Sequence, residues 1–145
     1  MEIQPKNMTE DEKALCRQAI KEYKEIRPVV QLGNIYRLQS PFDKKGVASL
    51  MYVDDAKQKA VFYWWKTETF INQHLPLIKM AGLDANKMYN VHELNRIDNK
   101  PLDCEGKSYS GEYLMSHGLE MPYNNSVDWG KQTAWSSRVL ELSAE

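Results

Sequence analysis

The sequence predicts an all-β domain: an antiparallel β-sandwich of about seven or eight short strands, preceded by one N-terminal α-helix. Three observations carry this. Apolar residues recur every three or four positions up to Pro28, and the period falls toward two beyond it. Turn signals then separate short apolar runs. No long helical pattern lies between those runs, so a βαβ arrangement has no support. With 145 residues the chain has room for one core of ordinary size. The boundary falls at Pro28, giving an N-terminal helix over 1–27 and a β-sandwich domain over 28–145.

The helix begins at residue 9 or 10. Thr9 with Glu12 forms a capping box, and Glu10, Asp11 and Glu12 place negative charge where the helix dipole favours it. Leu15, Cys16, Ala19, Ile20, Tyr23 and Ile26 line one face. The helix is expected to stop near Arg27, because the residue before a proline is pushed out of the α region. Asn34 to Gln39 reads as a strand bounded by Gly33 and Pro41. Val47 to Val53 is almost continuously apolar, as in a strand covered on both faces. A polar turn, Asp54 to Gln58, leads into Lys59 to Thr67, completing a hairpin. There Ala60, Phe62 and Trp64 share one face, and Val61, Tyr63 and Trp65 the other. Leu75 to Met80 and Lys87 to Asn95 are further expected strands, with a turn at Gly82-Leu83-Asp84. Tyr113-Leu114-Met115, between Gly111 and Gly118, suits a short helical turn. Asn95 to Lys107 and Pro122 to Gln132 read as loops, and Ser136 to Ser143 as the closing strand.

Charge excludes some partners. The formal net charge is −1, which offers no positive field for nucleic acid or an anionic membrane. No apolar run is long enough to span a bilayer, and no targeting signal opens the chain, so the compartment is left open. Cys16 and Cys104 read as two unpaired thiols. His74, His92 and His117 form no HxxxH or HExxH pattern, and no CxxC occurs, so no metal or other cofactor is expected. Nucleotide-binding glycine motifs and the GxSxG elbow are absent. Asp103, Glu105, Glu112 and Asp128 fall in expected loops and read as solvated surface.

The tryptophans are the remaining candidates. Trp64 and Trp65 are neighbours on a strand and must face opposite ways. Trp129 and Trp135 flank a loop. An exposed indole can stack on a sugar ring or pack against another domain, and Trp64, Trp65, Trp129 and Trp135 carry both readings.

A set of short matches in shared order carries a resemblance. They begin with Tyr23-Lys24-Glu25-Ile26-Arg27-Pro28-Val29-Val30-Gln31, Gly33, Ile35-Tyr36-Arg37-Leu38 and Ser40-Pro41. Met51-Tyr52-Val53, Ala60-Val61-Phe62, Ala81-Gly82-Leu83-Asp84 and Tyr89-Asn90-Val91 follow. The last are Tyr109-Ser110-Gly111-Glu112-Tyr113-Leu114-Met115, Gly118-Leu119 and Ser136-Ser137-Arg138-Val139-Leu140-Glu141-Leu142. Together they resemble the end of the barrel and the C-terminal domain of glycoside hydrolase family 36 α-galactosidases. The stretch 120–135 is longer than that pattern.

The resemblance implies a parent with an N-terminal β-sandwich, a central (β/α)8 barrel and a C-terminal antiparallel β-sandwich. This chain resembles the last barrel helix plus the final domain. The family's two catalytic aspartates, acting with retention on terminal α-galactosides, belong to the barrel. No position here matches their motifs, so no catalytic residue is assigned and the fragment is expected to be inactive alone. Its expected role is a non-catalytic domain bracing the barrel, with Leu15, Ile20, Tyr23 and Ile26 facing the barrel or a partner. Expected partners are the upstream barrel, a second copy through the helix face, or a galactose-containing saccharide. The alternative role is an autonomous carbohydrate-binding module using exposed tryptophans. A complete small hydrolase is a third reading without a recognisable site.

Overall fold

The computed structural model describes residues 4–43, 46–68, 77–96, 101–121 and 135–145. A 3-10 turn at Pro5–Asn7 precedes α1 (Glu10–Leu32). The capping box is formed: Thr9 Oγ1 accepts from the Glu12 amide at 3.2 Å, and the Thr9 amide donates to Glu12 Oε2 at 2.7 Å. Those hydrogen bonds from Thr9 hold the Glu12 carboxyl below the ordinary carboxylate value.

The expected stop near Arg27 is corrected, because α1 runs through Pro28 to Leu32. Proline inside a helix costs roughly 3 kcal/mol. Pro28 itself is exposed, while Ile26 and Val29 on either side are buried against the sheet. Each such burial is worth about 1.5–3 kcal/mol, enough to offset the missing hydrogen bond. The helix closes one turn later, where the Gly33 amide donates to the Val29 carbonyl at 2.9 Å.

Six strands follow among the described residues: β1 (Asn34–Gln39), β2 (Val47–Val53), β3 (Lys59–Lys66), β4 (Met88–Leu94), β5 (Ser108–Ser110) and β6 (Ser136–Ala144). They form one antiparallel sheet in the order β1-β2-β3-β6-β4-β5, with α2 (Gly111–Ser116) after β5. This mostly β, antiparallel architecture with one main helix is the predicted class, consistent with a β-sandwich domain. The strand expected over Leu75 to Met80 is reduced, among its described residues, to one bridge between Ile78 and Leu119. The Met80 amide donates to the Leu114 carbonyl in α2, so this segment pairs with the α2 region and not with the sheet.

Each face of the sheet has its own core. One face carries Met51, Ala60, Phe62, Trp64, Val91, Leu140 and Leu142 under α2 and the segments that flank it. The other carries Val61 and Leu94, with Tyr52, Tyr63 and Val139 packed around them, under Ile26 and Val29 of α1. β3 lies between both cores, as its alternation predicts.

Tyr89 joins three segments on the first face. It is fully buried, its hydroxyl donates to the Lys57 carbonyl at 2.9 Å, and the Asp84 amide donates to it at 3.0 Å. Gly111 opens α2 against the same turn: a Cβ there would stand 2.0 Å from the Asp84 carbonyl oxygen. Gly82 holds φ +79° beneath the Tyr36 ring, a conformation that suits glycine.

Candidate functional site

Only the second half of α1 lies on the sheet. Ile26 and Val29 are buried, whereas Tyr23, Ile20 and Leu15, nearer the N-terminus, are 45%, 55% and 40% exposed. Of the four helix positions named from sequence, Ile26 alone is buried, at 3%. The Glu22 carboxylate, which accepts from the Asn95 amide at 2.7 Å, ties the helix to the end of β4. Before Glu22, Leu15 and Ile20 of α1 are left exposed. A 23-residue helix is ~34 Å long, so about half of it overhangs the sheet.

The tryptophans separate. Trp64 is 1% exposed inside the first core, so its ring is closed to a sugar and serves packing. Trp65 points to the α1 side, half-buried, and stacks on Tyr63 with centroids 5.7 Å apart and planes 7° apart. Tyr63 in turn meets Tyr52 edge-on at 6.2 Å. Burial, and then the neighbouring Tyr52 and Tyr23 phenols, raise the Tyr63 hydroxyl above its usual value. Trp135 is 77% exposed just ahead of β6. Trp129 and Asp128 lie outside the described residues.

A groove beside Trp65 was not anticipated from the sequence. It holds about 480 Å³, between the bulged end of β1, the Pro41–Asp43 turn, β2 and Trp65. Arg37, Gln39, Phe42, Asp43 and Leu50 line it with Trp65. Its only sequence signal was the Ser40-Pro41 turn, which sets Phe42 outward at 89% exposure.

Of the described loop carboxylates read as solvated surface, Glu105 is the one that departs from that reading. Asp103 and Glu112 are exposed. Glu105 is no freely solvated carboxylate: it contacts His92 Nδ1 at 2.9 Å and accepts from the Glu93 amide. The Glu93 carboxylate is itself buried, accepting from Arg138 Nη1 at 2.8 Å and from the Leu102 amide at 3.1 Å. Together these bonds pin the loop after β4 to β6. Cys104 sits within it, and burial, with Glu93, Glu105 and Asp103 nearby, pushes its thiol up to about 11. A thiol of that kind is protonated and inert at neutral pH. Lys66, at the far end of β3, is buried and its amine is pushed below the usual lysine value. Among the described residues no three His, Cys, Asp or Glu side chains gather to hold a metal ion. No described helix is long and apolar enough to cross a membrane.

Comparison with known proteins places this architecture. Residues 47–142 match the family model described as the glycosyl hydrolase family 36 C-terminal domain. α-Galactosidase AgaA of Geobacillus stearothermophilus is 30% identical over 125 residues, covering 86% of this chain and 15% of that protein. A probable α-galactosidase C of Aspergillus terreus is 32% identical over 127 residues, covering 88% of this chain and 15% of that protein. The crystal structure of AgaA superimposes with a TM-score of 0.79 at 28% identity, covering 99% of this chain and 17% of that one. That of AgaB, from the same organism, gives 0.77 at 27% identity. The chain therefore spans about one sixth of the length of the relatives it matches. By the family match over most of its length, it belongs to glycosyl hydrolase family 36 and corresponds to the C-terminal domain of the family's α-galactosidases.

Proposed function

We propose that this chain is a non-catalytic domain that braces the catalytic region of a larger α-galactosidase, through the exposed stripe of α1. The observation that carries it is the exposed N-terminal part of α1, where Leu15, Ile20 and Tyr23 remain 40–55% exposed. An apolar stripe of this kind is the seat of another packed element. Covering what remains exposed of these three side chains is worth about 2–4 kcal/mol together. The upstream region of the parent is the proposed occupant. The relatives extend far beyond the part this chain matches. Crystal structures of AgaA variants hold stachyose and raffinose, which supports terminal α-galactosides as the parent's substrates.

The test uses the larger α-galactosidase of which we propose the chain is a part, beside the 145-residue chain. Leu15→Gln, Ile20→Gln and Tyr23→Gln are combined in both. The expected result is a lower midpoint of thermal inactivation for the parent, with unchanged or improved solubility and stability of the short chain. Equal inactivation midpoints for parent and variant overturn the bracing role. A shift of the short chain from dimer to monomer, with the parent unaffected, assigns the stripe to self-association.

A further inference from the structure

We propose that the groove between Arg37, Phe42 and Trp65 binds a neutral saccharide. It goes beyond the bracing role, which concerns a different surface of the molecule.

The sheet register builds the groove. Arg37 lies opposite Leu50, Leu50 opposite Tyr63, and Trp65 opposite Ala48, all on the α1 side. Trp65 and Leu50 stand outside the cluster that α1 covers, so this stretch of sheet is open. A register shift between Arg37 and Gln39 ends regular pairing there. The Ser40 hydroxyl accepts from the Phe42 amide at 3.2 Å, and the Ser40 carbonyl from the Asp43 amide at 3.2 Å. These two bonds fix the turn that puts Phe42 and Asp43 along the groove wall. At about 480 Å³ the space is ample for a hexose and falls within the usual range of small-molecule sites.

The lining chemistry selects the ligand. Trp65 offers a flat apolar surface, and its stack on Tyr63 holds the plane of the ring before any ligand arrives. Phe42 offers a second, almost fully exposed ring. Around them stand an Arg37 guanidinium, an Asp43 carboxylate and the Trp65 indole N–H, none hydrogen-bonded to another described residue. The described lining residues carry one positive and one negative side chain, Arg37 and Asp43. A purely apolar occupant would leave these polar groups without partners. A pyranose has the complementary build: a C–H face for the indole and vicinal hydroxyls for planar groups that donate and accept in pairs.

The experiment is titration of the intact 145-residue chain with galactose, glucose, raffinose and stachyose, followed by two-dimensional amide NMR. Saturable shifts confined to residues 37–43, 48–50 and 65, in the millimolar range, are expected. Trp65→Ala should weaken binding by about tenfold or more, a difference of ~1.4 kcal/mol. Arg37→Met, at an exposed site that leaves the core intact, should weaken it several-fold, while Trp135→Ala should leave it within twofold. No saturable shift with any of the four sugars overturns the proposal, and so does binding that survives both Arg37→Met and Trp65→Ala. Saturable binding lost in Trp135→Ala and kept in Arg37→Met moves the site elsewhere and equally overturns it. None of these results bears on the bracing role, which is read from inactivation of the parent.

Discussion

Replacing Tyr89 by Phe removes one oxygen from a fully buried ring and leaves its shape unchanged. Two hydrogen bonds go with it, and their costs are unequal. The Lys57 carbonyl keeps a second donor, Lys87 Nζ at 3.2 Å, and lies at an exposed residue, so it loses little. The Asp84 amide is half-buried, and its bond to the Tyr89 hydroxyl at 3.0 Å is the one that the substitution breaks. An amide left without its acceptor in such a place costs about 1–3 kcal/mol. Partial exposure of Asp84 puts the expected loss near the lower half, ~1–2 kcal/mol. For a domain of this size that lowers the melting temperature by about 2–8 °C. Urea denaturation followed by tryptophan fluorescence gives the free energy, with an unchanged slope showing that the two end states are the same. Tyr109→Phe is the control, since no described residue hydrogen-bonds to its hydroxyl, and it should stay within about 0.5 kcal/mol. Equal losses for the two variants would refute the reasoning, because ring chemistry and not the Asp84 bond would then set the cost.

Two further outcomes follow from the loop after β4. Glu93→Leu takes the carboxylate from both Arg138 and the Leu102 amide and should cost about 3–5 kcal/mol, whereas Glu93→Gln, which keeps an acceptor, should cost about 1–3. Calorimetry that ranks the two variants the other way would show that the charge, and not the acceptor, secures the loop. Cys104 sets the alkaline behaviour: its folded value, about 11, lies above 9.0, so the folded state holds the proton more tightly. Its contribution is fully present below pH 9 and is lost as pH climbs toward 11. The raised tyrosines Tyr63, Tyr89 and Tyr109 act in the same sense above pH 10, and the lowered Lys66 acts against them by favouring the folded state as pH rises toward 10.5. Melting temperatures of Cys104→Ala should therefore fall less between pH 8 and about 10 than those of the parent chain, and parallel curves would exclude the thiol.

What could be read in advance was what depends on neighbours in sequence. The alternation along 59–66 set Ala60, Phe62 and Trp64 against Val61, Tyr63 and Trp65, and the two cores divide along that line. The Thr9–Glu12 box marked the helix start, and the five-residue turn before Lys59 marked the hairpin. Pro28 misled because its local cost is outweighed by burial of Ile26 and Val29, which depends on a sheet formed later in the chain. Glu105 was read as solvated since nothing nearby in sequence shows that the Glu93 amide and His92 would meet it. The groove was invisible for the same reason: Arg37 and Trp65 come together only through β2, which pairs with both of their strands.

β6 is the last of the described strands in chain order and sits between β3 and β4. Until it arrives, the sheet exists as two separate pieces, β1-β2-β3 and β4-β5, with no direct pairing between them. Closure of the sheet therefore waits on long-range pairing, because β6 must join strands that lie far before it in the chain. A gene truncated shortly before Ser136 yields two exposed strand edges, on β3 and β4, in place of one continuous sheet. The segment 136–144 thus acts as the keystone of the sheet: only when it is in place are both edges hidden.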